Sequence, residues 1–177
     1  MSSKTEPRIL LTRDEIAAAV GRLSVEIGRE YRGKCPLLIG ILKGSFVFMA
    51  DLVRSLDFPL EVEFIKLSSY GRGRESSGKV SVVSGLTSPI EGRDVLVVED
   101  IVDTGITLSF LMDYLKKGKP ASLRLCALTD KPSRRQSALT IDYLGFTVPD
   151  RFIVGYGIDW DEKFRYLPDI CYLEDEK

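Results

Sequence analysis

The hydrophobic pattern changes period several times along the chain. Over 12–31, TRDEIAAAVGRLSVEIGREY places apolar residues at helical spacing, with Thr12 and Glu15 as a capping-box pair at its start. CPLLIGIL (35–42) is a short continuous apolar strand, followed by KGS and the amphipathic helix FVFMADLVRSLDF (46–58). LEVEFIKL (60–67) alternates as a strand, whereas SSYGRGRESSGK (68–79) is polar, Gly-rich and expected to be mobile. VSVVSGL (80–86) and DVLVVED (94–100) are further strands joined through the turn SPIEGR. The helix TLSFLMDYLKKGKP (107–120) ends in Lys and Gly, as helix C-termini do. SLRLCALT, IDYLGF and FIVGYGI supply the late strands. Strands alternating with amphipathic helices predict an α/β fold around a mostly parallel sheet flanked by helices. In such sheets the ligand crevice lies at the carboxyl ends of the strands.

Composition narrows the chemistry. At 177 residues and 44% hydrophobic, with no repeat or long linker, the chain is expected to be one domain, 1–177, with a core of ordinary size. Twenty-five basic against 26 acidic residues leave a net charge of -1, which argues against nucleic acid as the main partner. No apolar run is long enough for a signal peptide or a membrane span. Cys35, Cys126 and Cys171 are odd in number and widely spaced, so buried free thiols in a reducing cytoplasm are expected rather than a disulfide or zinc framework. The chain has no His and no Asn. Ser-His-Asp, Cys-His and HExxH chemistries are thereby excluded, and acid–base work falls to Asp, Glu, Lys, Tyr or Cys.

The densest chemistry is in VLVVEDIVDTGITL (95–108), where a strand delivers Glu99, Asp100 and Asp103 into a Thr-Gly-x-Thr turn before a helix. Free backbone N–H groups at that helix start, with Gly105 allowing close approach and Thr104 and Thr107 adding hydroxyls, make a cradle for a phosphate. Carboxylates suit a phosphate site only if the ligand carries more than phosphate. They accept hydrogen bonds from sugar hydroxyls, hold Mg²⁺ through water and take protons. A phosphorylated ribose needs both kinds of group. A lone Asp-Thr-Gly would be read as a helix cap; the full string is more specific.

VVEDIVDTGIT resembles the phosphoribosyl-pyrophosphate signature of the type I phosphoribosyltransferases. From Ile9 to Leu173 the chain is similar to the hypoxanthine-guanine phosphoribosyltransferases, with LKGS (42–45), SSYG (68–71), DKPS (130–133), FIVGYGID (152–159) and FR (164–165) in family order. The resemblance implies a phosphoribosyltransferase fold whose small hood is built from chain-terminal segments, including about 150–177. It also implies an active-site loop at about 68–79. The implied reaction is Mg²⁺-dependent transfer of 5-phosphoribose to hypoxanthine or guanine, giving IMP or GMP and pyrophosphate, in purine salvage.

Residue roles follow from the same resemblance. Asp103, Thr104, Gly105, Ile106 and Thr107 would hold the 5′-phosphate, Glu99 and Asp100 would meet the ribose hydroxyls, and Asp103 would accept the proton of purine N7. Ile106 stands where some relatives carry a basic residue, which removes one contact but not the backbone cradle. Lys43 and Gly44, across a cis peptide from Leu42, would bind pyrophosphate through their backbone N–H groups, together with Ser69, Tyr70 and Arg165. In isolation KGS would be a plain turn with Ser45 as N-cap. Phe152 would stack on the purine, the Ile153 backbone would meet its N1/N2 edge, and Lys131 would donate to the 6-oxo oxygen. Mg²⁺ would sit near Glu99 and Asp100, and a second ion near Asp159. The partners implied are a 6-oxopurine, phosphoribosyl pyrophosphate and further copies of the chain as a dimer or tetramer, with no membrane.

Two rival readings differ from this one in class. VLVVED also resembles the start of a signalling receiver domain, but too little chain follows and no phosphoacceptor strand is found. A phosphoribosyltransferase-like regulator binding nucleotides or RNA would not need Asp103 as an acceptor for N7.

Overall fold

The computed structural model describes residues 6–69 and 80–174. Its first strand, β1 (Arg8–Leu11), leads into α1 (Arg13–Tyr31). The capping box is formed in full: Glu15 N–H donates to Thr12 Oγ1 at 3.3 Å, and Thr12 N–H to Glu15 Oε2 at 2.8 Å. Next come β2 (Leu37–Leu42), α2 (Phe46–Ser55), β3 (Glu61–Ser69) and β4 (Val80–Ser84). The second half holds β5 (Asp94–Val102), α3 (Ile106–Lys116), β6 (Ser122–Asp130), a 3-10 turn at Pro132–Arg134, β7 (Tyr143–Thr147), β8 (Ile153–Val154) and β9 (Ile170–Tyr172).

Six strands form the main sheet in the order β4-β3-β2-β5-β6-β7, parallel except where β4 runs against β3. Strand periodicity sorts its side chains between two cores. Leu38, Leu96, Val98, Cys126 and Leu128 pack under α1 and α2. Leu37, Ile39, Val95, Val97, Leu125 and Ala127 pack under α3, against Leu108, Leu111, Met112 and Leu115. Both faces are covered, which is why these strands read as continuous apolar runs. The chain winds outward in opposite directions from the neighbours β2 and β5, through α2 to β3 and through α3 to β6. A crevice opens at such a switch point.

The hood is a three-stranded sheet of order β1-β9-β8, made from both terminal segments. Arg13 clamps it to the start of α1, its backbone N–H donating to Asp169 Oδ1 at 2.7 Å and its guanidinium pairing with Oδ2 at 3.3 Å.

Several boundaries differ from expectation. β3 continues through Ser69, with Ser68 and Ser69 paired to Ser81 and Val80, so 68–69 are strand where a loop was expected. Tyr70 and the rest of 70–79 lie outside the described residues. β5 runs two residues past Asp100 because β6 stays beside it, pairing Ile101 with Thr129 and Val102 with Asp130. FIVGYGI is strand only at Ile153–Val154, since Gly155, Tyr156 and Gly157 all turn with positive φ. Cys126 and Cys171 are buried free thiols as expected, but Cys35 is exposed at the turn before β2.

Candidate active site

Three strand ends, those of β2, β5 and β6, supply most of the predicted residues. After β5, Gly105 takes φ 79 and α3 begins at Ile106 with no side-chain cap. The Thr104 hydroxyl turns back to accept from Ile106 N–H at 3.4 Å. A methyl on Gly105 would stand 2.6 Å from Ser137 Oγ, so only glycine lets the turn pack this closely.

A turn that offers its N–H groups to a ligand must send its carbonyls the other way, where they need donors. Lys131 N–H donates to the Val102 carbonyl at 2.9 Å and Gln136 N–H to that of Thr104 at 2.9 Å. Arg135 Nε donates to the Asp103 carbonyl at 3.3 Å, Ser137 Oγ adds a second donor to Thr104, and Ser109 N–H serves Gly105 at 2.8 Å. Arg135 is itself held by an ion pair to Asp130. The segment 131–137 therefore forms a second layer beneath the phosphate turn. Sequence reasoning found Lys131 in that segment and missed Arg135, Gln136 and Ser137, which act on backbone carbonyls that no motif displays.

The carboxylates occupy distinct surroundings. Glu99 and Asp100 are buried, and burial above all, then the adjoining Asp100 carboxyl, push Glu99 well above the usual carboxylate range. Asp100 lies against Gly44, and Thr129 Oγ1 donates to its backbone carbonyl at 2.8 Å. Asp103 stands half exposed, with Arg134 Nε 3.0 Å from Oδ1. That contact is not aligned as a hydrogen bond, so Oδ1 stays buried without a donor among the described residues. Arg134 also reaches Asp150 at 3.6 Å, tying the phosphate turn to the segment that leads into Phe152.

Lys131 is buried, and burial lowers its pKa from the ordinary lysine value, with Asp103 and Asp150 opposing the shift. Among the described residues its ammonium makes no ion pair. Phe152 is 49% exposed and meets Trp160 edge-to-face, with ring centres 6.3 Å apart, while Ile153 is buried beside it. One face of the Phe152 ring is thus left for a ligand.

At the end of β2 the Leu42–Lys43 peptide is cis. The Ser45 hydroxyl does not cap α2; it donates back to the Ile41 carbonyl at 2.7 Å, leaving the backbone around Gly44 free of side-chain capping. Arg165, from the loop before β9, donates to the Gly157 carbonyl at 2.8 Å and pairs with Asp159 Oδ1 at 2.7 Å. Its Nε is buried without an acceptor among the described residues. Asp159 Oδ2 accepts from Glu162 N–H at 2.8 Å, and no group of three acidic or thiol side chains among the described residues converges as a metal cage. Such a donor set fits an ion that brings substrate oxygens and water with it. Ser69 lies at the end of β3, and Tyr70 is outside the described residues.

Comparison with known proteins places the chain in a family. The phosphoribosyl transferase domain family matches residues 9–161. The chain belongs to that family. The hypoxanthine-guanine phosphoribosyltransferase of Bacillus subtilis is 44% identical over 94% of this chain and 93% of its own length. A crystal structure of a hypoxanthine-guanine phosphoribosyltransferase from Bacillus anthracis superposes with a TM-score of 0.91 at 44% identity, covering 96% of this chain and all of that one. Within the family, then, the chain is of the hypoxanthine-guanine phosphoribosyltransferase type. It is also 46% identical, over 96% of its length, to the bifunctional protein TilS/HprT of Listeria innocua, of which it spans 26%. No helix among the described residues is long and apolar enough to cross a membrane.

Proposed function

We propose that this site transfers 5-phosphoribose from phosphoribosyl pyrophosphate to N9 of hypoxanthine or guanine, giving IMP or GMP and pyrophosphate, in cytoplasmic purine salvage. The observation that carries the reading is Asp103 Oδ1, without a hydrogen-bond donor among the described residues, beside a helix N-terminus whose cap position, Gly105, has no side chain to close it. One chain segment thereby offers a base to the purine and a cradle to the 5′-phosphate.

In this reading the bond from ribose C1′ to pyrophosphate oxygen breaks as N9 bonds to C1′. The N7 proton passes to, or is shared with, Asp103, a positioned base of the kind worth ~10²–10⁴ in rate. The turn from Asp103 through Ile106 to Thr107 holds the phosphate, and Glu99 and Asp100 address the ribose hydroxyls. The backbone N–H groups of Lys43 and Gly44 and the guanidinium of Arg165 meet the charge of the departing pyrophosphate, to which Ser69 and Tyr70 are also assigned. Lys131 donates to the 6-oxo oxygen, which disfavours adenine because an ammonium facing an amino group leaves donors unpaired. Phe152 stacks on the base and the Ile153 backbone meets its edge. Glu99, Asp100 and Asp159 would hold Mg²⁺, which would supply positive charge to the diphosphate.

Exposed Phe46 and Tyr166 flank a cleft between α1, α2 and the hood, which supports assembly as a homodimer or tetramer. Light scattering on the purified protein reads that state directly.

The test of function is pyrophosphate release from phosphoribosyl pyrophosphate and Mg²⁺ with hypoxanthine, guanine, xanthine, adenine or uracil offered separately. Turnover confined to 6-oxopurines, and strongly reduced in Asp103→Asn, is expected. Turnover with uracil, or none with any purine, would overturn the base-pocket reading.

A further inference from the structure

Glu162 joins the Lys43 ammonium, whose backbone is assigned to the pyrophosphate, to the Arg165 guanidinium assigned to the same group. Its Oε1 lies 2.7 Å from Lys43 Nζ and its Oε2 lies 3.1 Å from Arg165 Nη2. Lys43 follows β2, 119 residues before Glu162, so the bridge spans the sheet and the hood loop. Arg165 Nη2 also pairs with Asp159 Oδ1 at 2.7 Å, so Glu162 is the second anion on Arg165, and among the described residues it is the ion-pair partner of Lys43.

The Glu162 backbone is anchored while its side chain is free to leave. Its N–H is fixed to Asp159 Oδ2 at 2.8 Å, and the chain there is left-handed at Asp161, Glu162 and Phe164, with φ of 53, 58 and 72. The side chain is 65% exposed, so water can take over the carboxylate at little cost. Meanwhile Arg165 Nε remains buried without an acceptor among the described residues, a donor that Glu162 does not satisfy. A diphosphate has more oxygens and more charge than one carboxylate and can satisfy all three groups.

We infer that Glu162 is an internal stand-in for pyrophosphate, occupying Lys43 and Arg165 in the free protein and competing with the diphosphate for them. It therefore sets affinity at the leaving-group site, and by retaking both cations it speeds release of pyrophosphate. This inference rests on the proposed pyrophosphate site and extends it from the Lys43 backbone to its ammonium.

Calorimetric titration with magnesium pyrophosphate tests it. Glu162→Gln should bind about two- to tenfold more tightly, the range expected from exposed ion pairs, and the gain should shrink as ionic strength rises. Glu162→Asp, too short to span both cations, should fall between wild type and Gln. Unchanged or weaker binding by Glu162→Gln would overturn the inference, because a carboxylate that merely organised the cations would be missed by the ligand. Lys43→Ala and Arg165→Lys separate the two levels. If both weaken pyrophosphate while Glu162→Gln does not tighten it, only the role of Glu162 fails. If neither weakens it, the assignment of this site fails and the inference falls with it.

Discussion

Gly44 and Asp100 meet so closely that no side chain fits between them: a methyl carbon on Gly44 would stand 2.7 Å from Asp100 Cγ and 2.9 Å from Oδ1. Asp100 is buried and its backbone carbonyl is held by Thr129, which leaves its carboxylate little room to move aside. The turn assigned to pyrophosphate and the acid assigned to ribose are therefore packed as one unit. Gly44→Ala is expected to cost about 1–3 kcal/mol of stability, as overpacking does. It should also raise KM for phosphoribosyl pyrophosphate more than KM for hypoxanthine. Thermal denaturation and steady-state kinetics with each substrate varied check both halves.

Lys131 gives a pH-dependent prediction. Burial lowers its pKa below the ordinary 10.5, despite the opposing pull of Asp103 and Asp150. The unfolded chain then holds that proton more firmly than the folded one, so losing it favours folding and stability rises with pH through the window just below 10.5. Over the same window the ammonium needed at the 6-oxo oxygen disappears, and purine binding should decline. Lys131→Met should flatten that part of the stability profile, leave melting near neutrality unchanged or higher, and lower kcat/KM for hypoxanthine by about 10–100-fold. Melting temperature and kinetics measured against pH decide it.

The phosphate turn was legible in the sequence because its residues are contiguous and its chemistry sits in side chains and glycine. The main sheet was legible because strands buried on both faces leave unbroken apolar runs, as in 37–42 and 94–102. The hood strands β1 and β9 were not, since four- and three-residue strands have too few positions to show a period and find their partners at opposite ends of the chain. β8 was read too long because Tyr156 is a strand-former by propensity, while its positive φ comes from tertiary packing. Arg134 and Arg135 belong to no motif that the sequence displays. Their work is done on Asp103 and its carbonyl, 31 and 32 residues earlier, and only the folded chain shows it.

Arg135 yields the prediction most sensitive to that second layer. It is largely buried, paired with Asp130, and donates to the carbonyl of Asp103. Removing one partner of a buried pair leaves the other uncompensated, so Arg135→Gln should destabilise by about 3 kcal/mol. Arg135→Lys restores charge but not the fork that serves two acceptors at once. It should recover most of the stability while KM for phosphoribosyl pyrophosphate stays elevated. Equilibrium urea unfolding beside substrate titrations separates the two effects; recovery of both by lysine would show that charge alone suffices.

Phe152 and Trp160 make the last prediction, because their edge-to-face contact fixes the ring on which the purine is proposed to stack. Phe152 is half exposed, so its truncation removes little core packing and leaves the fold intact. Stacking of a base on an aromatic ring is worth about 1–3 kcal/mol, so Phe152→Ala should weaken IMP binding by about 5–150-fold. Phe152→Tyr keeps the ring face and should bind IMP nearly as wild type does. Trp160→Ala leaves the Phe152 ring in place but unsupported, and its smaller effect should appear in purine KM rather than in KM for phosphoribosyl pyrophosphate. Direct titration of IMP into the three variants measures these differences. Equal affinity in Phe152→Ala and wild type would place the purine elsewhere and leave Lys131 without a base to read.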